Sequence, residues 1–184
     1  MTLTTEYLTP VLYLLGALIF VKILLKLFFP HILNFIMKTV HSKIILLKEK
    51  LFEEAFKQIS TGSQNLEILE IGIGTGENFK NFPKNAHLTI LDKTDEFLPF
   101  LKKSINENKR DDLKISKLVV NYAENMESIE SASMDAVVHT FILCSVKDSD
   151  KVLSEIQRVL KPGGICVFIE HSIDNKVDLF ILKF

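Results

Sequence analysis

Residues Ile68 to Phe79 read "ILEIGIGTGENF", with glycines at positions 72, 74 and 76 directly after an apolar run. "LEILEI" (Leu66–Ile71) has the length and composition of a buried strand. Three glycines at its exit leave a backbone that another molecule can approach closely. The spacing is Gly-x-Gly-x-Gly, and Glu77 stands where a dinucleotide fingerprint requires its last glycine. No Gly-Lys-Ser/Thr ending follows, so the loop also departs from a phosphate-cradling loop. A carboxylate beside the turn is a poor host for a pyrophosphate. A nucleoside ligand without phosphate fits better.

Downstream, strand-like and helix-like segments alternate. A short helix is expected over Glu77–Phe82, stopped by Pro83. "AHLTILD" (Ala86–Asp92) predicts strand two and Asp95–Asn108 a helix. "ISKLVVNYA" (Ile115–Ala123) predicts strand three, with a short helix around Met126–Ile129. "MDAVVHTFILCS" (Met134–Ser145) predicts strand four. The segment from Asp148 predicts a helix capped by Asp148 or Ser149 and leaving through Pro162, Gly163 and Gly164. "ICVFIEH" (Ile165–His171) predicts strand five. The alternation implies an α/β fold, a doubly wound parallel sheet with right-handed crossovers. In such a sheet ligands bind at the carboxyl ends of the strands, beside the switch in strand order. Two acids sit at those ends. Glu70 precedes Gly72, and Asp92 closes strand two, where a carboxylate can accept from both ribose hydroxyls.

Upstream, Leu8–Phe29 is apolar apart from Thr9, Lys22 and Lys26. Its apolar residues surround the helix, which disfavours a buried soluble helix. No cation precedes it and no small-x-small cleavage pattern follows it, which disfavours a cleaved signal peptide. A retained membrane anchor remains, spanning or embedded from one side. Lys22, Lys26, Lys38, Lys43, Lys48 and Lys50 follow the run, against Glu6 ahead of it, and this bias places the remainder in the cytosol. Apolar residues from Leu33 to Ile59 then recur at three- and four-residue steps, predicting one amphipathic helix or two. "STGSQN" (Ser60–Asn65) is a loop by composition. The expected organisation is an anchor over 1–30, a helical linker over 31–64 and a ligand-binding domain over 65–184.

Lys and Arg number 22 against 23 Asp and Glu, so charge gives a nucleic-acid partner no support. The five histidines are scattered and no Cys-x-x-Cys occurs, which disfavours a metal site. Cys144 and Cys166 both fall in strand-like runs and read as reduced residues of a cytosol-facing protein, with Cys144 a small core residue.

"LEIGIGTGENF", "TILDKTDEF", "AENM" and "RVLKPGG" together resemble class I S-adenosylmethionine-dependent methyltransferases. The apolar amino terminus, "FILCSVKD" and "FIEH" narrow the resemblance to the methyltransferase-like seven family, membrane-anchored proteins similar to alkyl-thiol S-methyltransferases. The resemblance extends from the anchor to about Ser172. It implies S-adenosylmethionine as cofactor, with Gly72, Gly74 and Gly76 in close backbone approach. Glu70 would serve the methionyl end, Asp92 the ribose, Ala123, Glu124 and Asn125 the adenine, and Thr140 the methionine moiety. The acids agree with a cationic sulfonium. The implied acceptor is a small lipophilic thiol, and the implied location is the endoplasmic reticulum or lipid droplets. His171 and His139 are the candidate bases for a thiol, although for His139 a satisfied strand histidine is the simpler reading.

The family fold has seven strands, and after strand five only "SIDNKVDLFILKF" remains, so the last two strands are expected to be missing. Val177–Phe184 would then cover strand five as a strand or helix, or be a remnant. The alternative functions are a non-catalytic membrane or lipid-droplet protein that keeps the cofactor fold, and a nucleotide-dependent oxidoreductase, which Glu77 disfavours.

Overall fold

The computed structural model describes residues 3–59, 65–171 and 177–184. The loop expected at Ser60–Asn65 lies outside them except for Asn65. The chain divides into two compact units, Met1–Ser42 and Lys43–Phe184.

In the first unit the backbone is helical from Leu3, within helix α1 (Leu3–Ile59), which accommodates Pro10 and Pro30. Thr9–Ile32 has a mean hydropathy of 2.3, and its described side chains are exposed apart from half-buried Leu24 and buried Pro30. Its 24 residues would extend ~36 Å at helical rise, enough to cross a ~30 Å hydrocarbon core.

The second unit contains the last turns of α1 and a six-stranded sheet. The strands are β1 (Glu67–Ile71), β2 (His87–Asp92), β3 (Lys114–Val120), β4 (Met134–Thr140), β5 (Leu160–His171) and β6 (Val177–Lys183), in the order β3-β2-β1-β4-β5-β6. The first five are mutually parallel, as expected. Val177–Lys183 adds a sixth strand antiparallel to β5, with Phe168 opposite Phe180. The edge of β5 is therefore paired, which removes the aggregation hazard of an open apolar edge. Helices α2 (Leu98–Glu107) and α3 (Ser149–Val159) form two of the connections.

Helix α3 starts at Asp148, whose side chain accepts from the Lys151 amide, an N-cap interaction. Its Val152, Ile156 and Val159 recur on one stripe and pack with Leu69, Ile71, Val137 and Cys166 of the sheet. The final turns of α1 bring Phe52 and Phe56 against Phe82, which in turn meets Phe79.

Three expected elements differ. Glu77–Phe82 forms only a 3-10 turn at Phe79–Asn81, closed by the Phe82 amide on the Phe79 carbonyl; Pro83 has no N–H to continue it, and Arg110 donates to the carbonyls of Phe79 and Pro83. Met126–Ile129 is a turn closed by the Ile129 amide on the Met126 carbonyl. Glu155 binds the Met126 amide, and Arg158 binds the carbonyls of Met126 and Ile129. Strand β4 stops at Thr140 rather than continuing to Ser145. Phe141 takes φ of 56°, a left-handed conformation that ends an extended run. A 3-10 turn at Leu143–Ser145 follows. Cys144 is consequently exposed, not in the core, whereas Cys166 is buried in β5.

Candidate cofactor site at the strand ends

Strand β1 lies between β2 and β4; the chain steps outward from β1 to β2 and β3 on one side, then crosses to β4 and β5 on the other. This is the switch point at which open α/β sheets bind ligands. The carboxyl ends of β1, β2 and β4 and the loops after β1 and β3 carry every cofactor-binding residue expected from the sequence, and His171 ends β5.

The glycine loop bends sharply. Gly72 and Gly76 have φ of 71° and 74°, values that residues with a Cβ rarely adopt. A Cβ on Gly72 would fall 1.9 Å from Cδ1 of Ile142, and one on Gly76 would fall 3.2 Å from Cβ of Ser104. Ser104 Oγ donates to the Gly76 carbonyl at 2.8 Å. Gly76 thus supplies the close loop-to-α2 packing that the fingerprint assigns to the residue one place later. A Cβ on Gly74 would meet nothing within 4 Å, so that bend faces open space.

Glu70 is wholly buried at the end of β1. Its Oε1 accepts from Asn78 Nδ2 at 2.7 Å, and the same amide donates to Thr140 Oγ1 at 3.2 Å. Oε2 of Glu70 has no partner, and neither do the buried Asn78 Oδ1 and Thr75 Oγ1. Burial pushes the Glu70 carboxyl up to about 8, opposed by the Asn78 hydrogen bond and the charge of Lys48. Asp92 is held above its ordinary value by burial, against amides of Thr94, Gly74 and Ile73 that favour the carboxylate. Asp92 is therefore seated against the glycine loop.

Ala123, Glu124 and Asn125 form the turn after β3. Ala123 is buried. Glu124 Oε1 accepts from the amides of Lys147 and Asp148 at 2.7 and 3.4 Å, tying this turn to the start of α3. Asn125 is exposed, and its Oδ1 accepts from the Glu127 amide. Its backbone and side chain leave no described bond toward the glycine loop.

His139 is buried in β4, stacked on Phe168 at 5.1 Å between ring centroids, with Nδ1 2.9 Å from Glu170 Oε1. Glu170 Oε1 also accepts from the amides of Ile142 and Leu143 at 2.8 and 3.2 Å. Burial acts to raise the Glu170 carboxyl, but these hydrogen bonds together hold it below the usual range. An ionised Glu170 makes His139 Nδ1 the donor, and Nε2 has no partner in its buried position. His171 is exposed at the end of β5 and stacks on Phe141 at 4.4 Å.

Sequence reasoning assigns no role to four residues of this site: Lys48, Thr75, Asn78 and Glu170. Lys48, counted in the sequence among cations flanking the anchor, is 1% exposed. Its Nζ donates to the Glu77 carbonyl at 3.4 Å. Burial lowers its pKa to about 8, and among the charges that oppose this Glu70 acts most strongly. No group of three or more potential metal ligands occurs among the described residues.

The residues suit S-adenosylmethionine. Buried acceptors without partners face the need of its ammonium, the acids match its positive charge, and the bend at Gly74 is open.

The methyltransferase domain family profile matches residues 69–168. Over 164 residues the chain is 39% identical to thiol S-methyltransferase TMT1B of Mus musculus, covering 89% of this chain and 66% of that protein. It is 38% identical over 146 residues to thiol S-methyltransferase TMT1A of Homo sapiens, covering 79% and 59% respectively. The chain thus spans about three-fifths to two-thirds of the length of these curated relatives. A methyltransferase structure from Bacillus halodurans aligns with a TM-score of 0.55 at 21% identity, covering 68% of this chain and 51% of that one. The chain belongs to the methyltransferase domain family, within the class I S-adenosylmethionine-dependent methyltransferases.

Proposed function

We propose that this protein transfers a methyl group from S-adenosylmethionine to the sulfur of small lipophilic thiols at a membrane surface. The observation that carries the reading is the wholly buried Glu70, with one unpartnered oxygen, beside the glycine bend and Asp92. When bound, the cofactor would supply a methyl group activated by a cationic sulfur. Glu70 would accept from its ammonium and Asp92 from its ribose. Gly72, Gly74 and Gly76 would admit it to the backbone, Ala123, Glu124 and Asn125 would border the adenine, and Thr140 would border the methionine moiety. The identity to two thiol S-methyltransferases supports a thiol acceptor.

The chain's own task is orientation, bringing thiol sulfur and methyl carbon to ~3–3.5 Å in line. The attacking form is the thiolate, and free thiols ionise near ~8.5, so a proton acceptor speeds the reaction. Of the two histidines, exposed His171 is the one a thiol can reach. Buried His139 has Nδ1 committed to Glu170 and serves to hold the loop after β4. Residues 1–30 would anchor the chain, supported by the exposed apolar helix over Thr9–Ile32. Endoplasmic reticulum or lipid droplet is the location this reading favours, with the catalytic domain in the cytosol.

The test is transfer of labelled methyl from S-adenosylmethionine by the full chain in lipid nanodiscs, across a panel of thiols, phenols and lipids. Methylation of thiols is expected. The alternative reading is a membrane protein that binds cofactor without turnover. Binding of S-adenosylhomocysteine with no transfer to any acceptor would establish that alternative.

A further inference from the structure

We propose that Lys48 and Glu70 form a two-sided clamp for an amino-acid zwitterion, in which Glu70 takes the ammonium and Lys48 Nζ takes the carboxylate of the cofactor's methionyl tail. The inference rests on the cofactor reading above and assigns a binding role to a residue outside every loop of the sheet.

Lysine is almost never fully buried unless paired. Lys48 is 1% exposed, inside the last turns of α1. An ammonium has three N–H donors. Among the described residues, Nζ finds one acceptor, the Glu77 carbonyl at 3.4 Å, and lies 5.9 Å from the centre of the Phe52 ring. Glu70 in turn has one oxygen bonded to Asn78 and one with no partner. Each group is therefore left with unused hydrogen-bonding capacity in a place that water does not reach. The two feel one another's charge more strongly than Lys48 feels any other group.

Charge balance narrows what can enter. With both groups ionised the pair is neutral in sum, so a ligand carrying only a cation would satisfy Glu70 and leave Lys48 facing a second positive charge. A ligand carrying only an anion would do the reverse. An α-amino acid group brings both charges on adjacent atoms and leaves neither protein group unpaired. Thr75 Oγ1 and Asn78 Oδ1, buried and unpartnered in the same loop, add polar capacity for such a tail. Asn78 already bridges Glu70 to Thr140, which fixes the carboxylate that orients the ligand.

A simpler role for Lys48 is that of a counter-ion that only keeps Glu70 ionised. The two roles separate on ligands. Calorimetry on the full chain would compare S-adenosylhomocysteine with its decarboxylated analogue, which keeps the amine. A charge-assisted hydrogen bond is worth about 1.5–3 kcal/mol, or roughly 10- to 100-fold in affinity, and the wild type is expected to prefer the carboxylate-bearing ligand by that factor. Lys48→Met is expected to bring the preference to within about twofold, and Lys48→Arg to retain most of it. Equal weakening of both ligands by Lys48→Met, with the preference unchanged, would overturn the proposal and leave the counter-ion role. Equal affinity of the wild type for the two ligands would also overturn it, with the cofactor reading intact. No binding of either ligand by folded wild type would remove the cofactor reading itself. Thermal unfolding of each variant reports folding, and if Lys48→Met does not fold, the preferences of the wild type and Lys48→Arg decide.

Discussion

Asn78 donates its side-chain amide to Glu70 across 2.7 Å, and this bond holds a carboxylate in place at the end of β1 where water does not reach it. The bond satisfies one oxygen only. The free protein thus carries an incompletely solvated acid at the centre of its ligand site, and this has a measurable effect on stability.

Glu70 titrates near 8 in the folded protein, against about 4.3 for an exposed glutamate. Between these values the folded state holds a proton that the unfolded state has lost, so stability falls as pH rises, by at most about 1.4 kcal/mol per pH unit. This contribution is complete below about 4.3 and lost once pH passes about 8. Glu70→Gln removes it. Thermal unfolding from pH 5 to 8 is expected to show the variant gaining on the wild type at each step. A constant difference across that range would refute the buried-acid assignment.

Asp92→Asn keeps the shape of the side chain and removes its charge. If Asp92 accepts from the ribose, S-adenosylhomocysteine should bind about 10- to 100-fold more weakly. Calorimetry measures this directly, and unchanged affinity would withdraw Asp92 from the site.

Glu170 closes the loop after β4 by accepting from His139 and from the amides of Ile142 and Leu143. Glu170→Ala should cost about 2–4 kcal/mol, because it leaves donors without an acceptor. At this chain length that corresponds to a fall in Tm of roughly 5–15 °C. His139→Phe should be milder, since Phe168 can stack on the new ring. Equal losses would argue that the histidine, not the amides, carries the loop.

The two cysteines should differ sharply toward a maleimide. Cys144 is exposed, whereas burial pushes the Cys166 thiol up to about 12. Mass spectrometry is expected to find Cys144 modified in the native protein and Cys166 only after unfolding.

Local pattern was sufficient for much of this architecture. β1 and β2 are mainly apolar with an acid near each carboxyl end, Glu70 and Asp92, and α3 carries both an apolar stripe and a capping aspartate. The glycine triplet and Asp92 were legible because tight bends and strand-terminal acids depend on neighbours in sequence. The turns at Phe79–Asn81 and Met126–Ile129 were not, since the arginines that bind their carbonyls, Arg110 and Arg158, lie roughly 30 residues away. Lys48 was hidden for the same reason. A lysine in a basic helix reads as a solvated cation, and only the packing of α1 beside Glu77, 29 residues on, buries it. Strand β4 was overextended because "FILCS" is apolar enough to continue a strand, and the left-handed Phe141 leaves no trace in composition.

The reversed direction of β6 has a practical outcome for imaging and purification. Phe184 exchanges backbone hydrogen bonds with Gly163 and Gly164, at the end of the sheet where the parallel strands begin. A fluorescent reporter or affinity handle fused after Phe184 would hang from the rim opposite the glycine bend and leave the ligand entrance unobstructed.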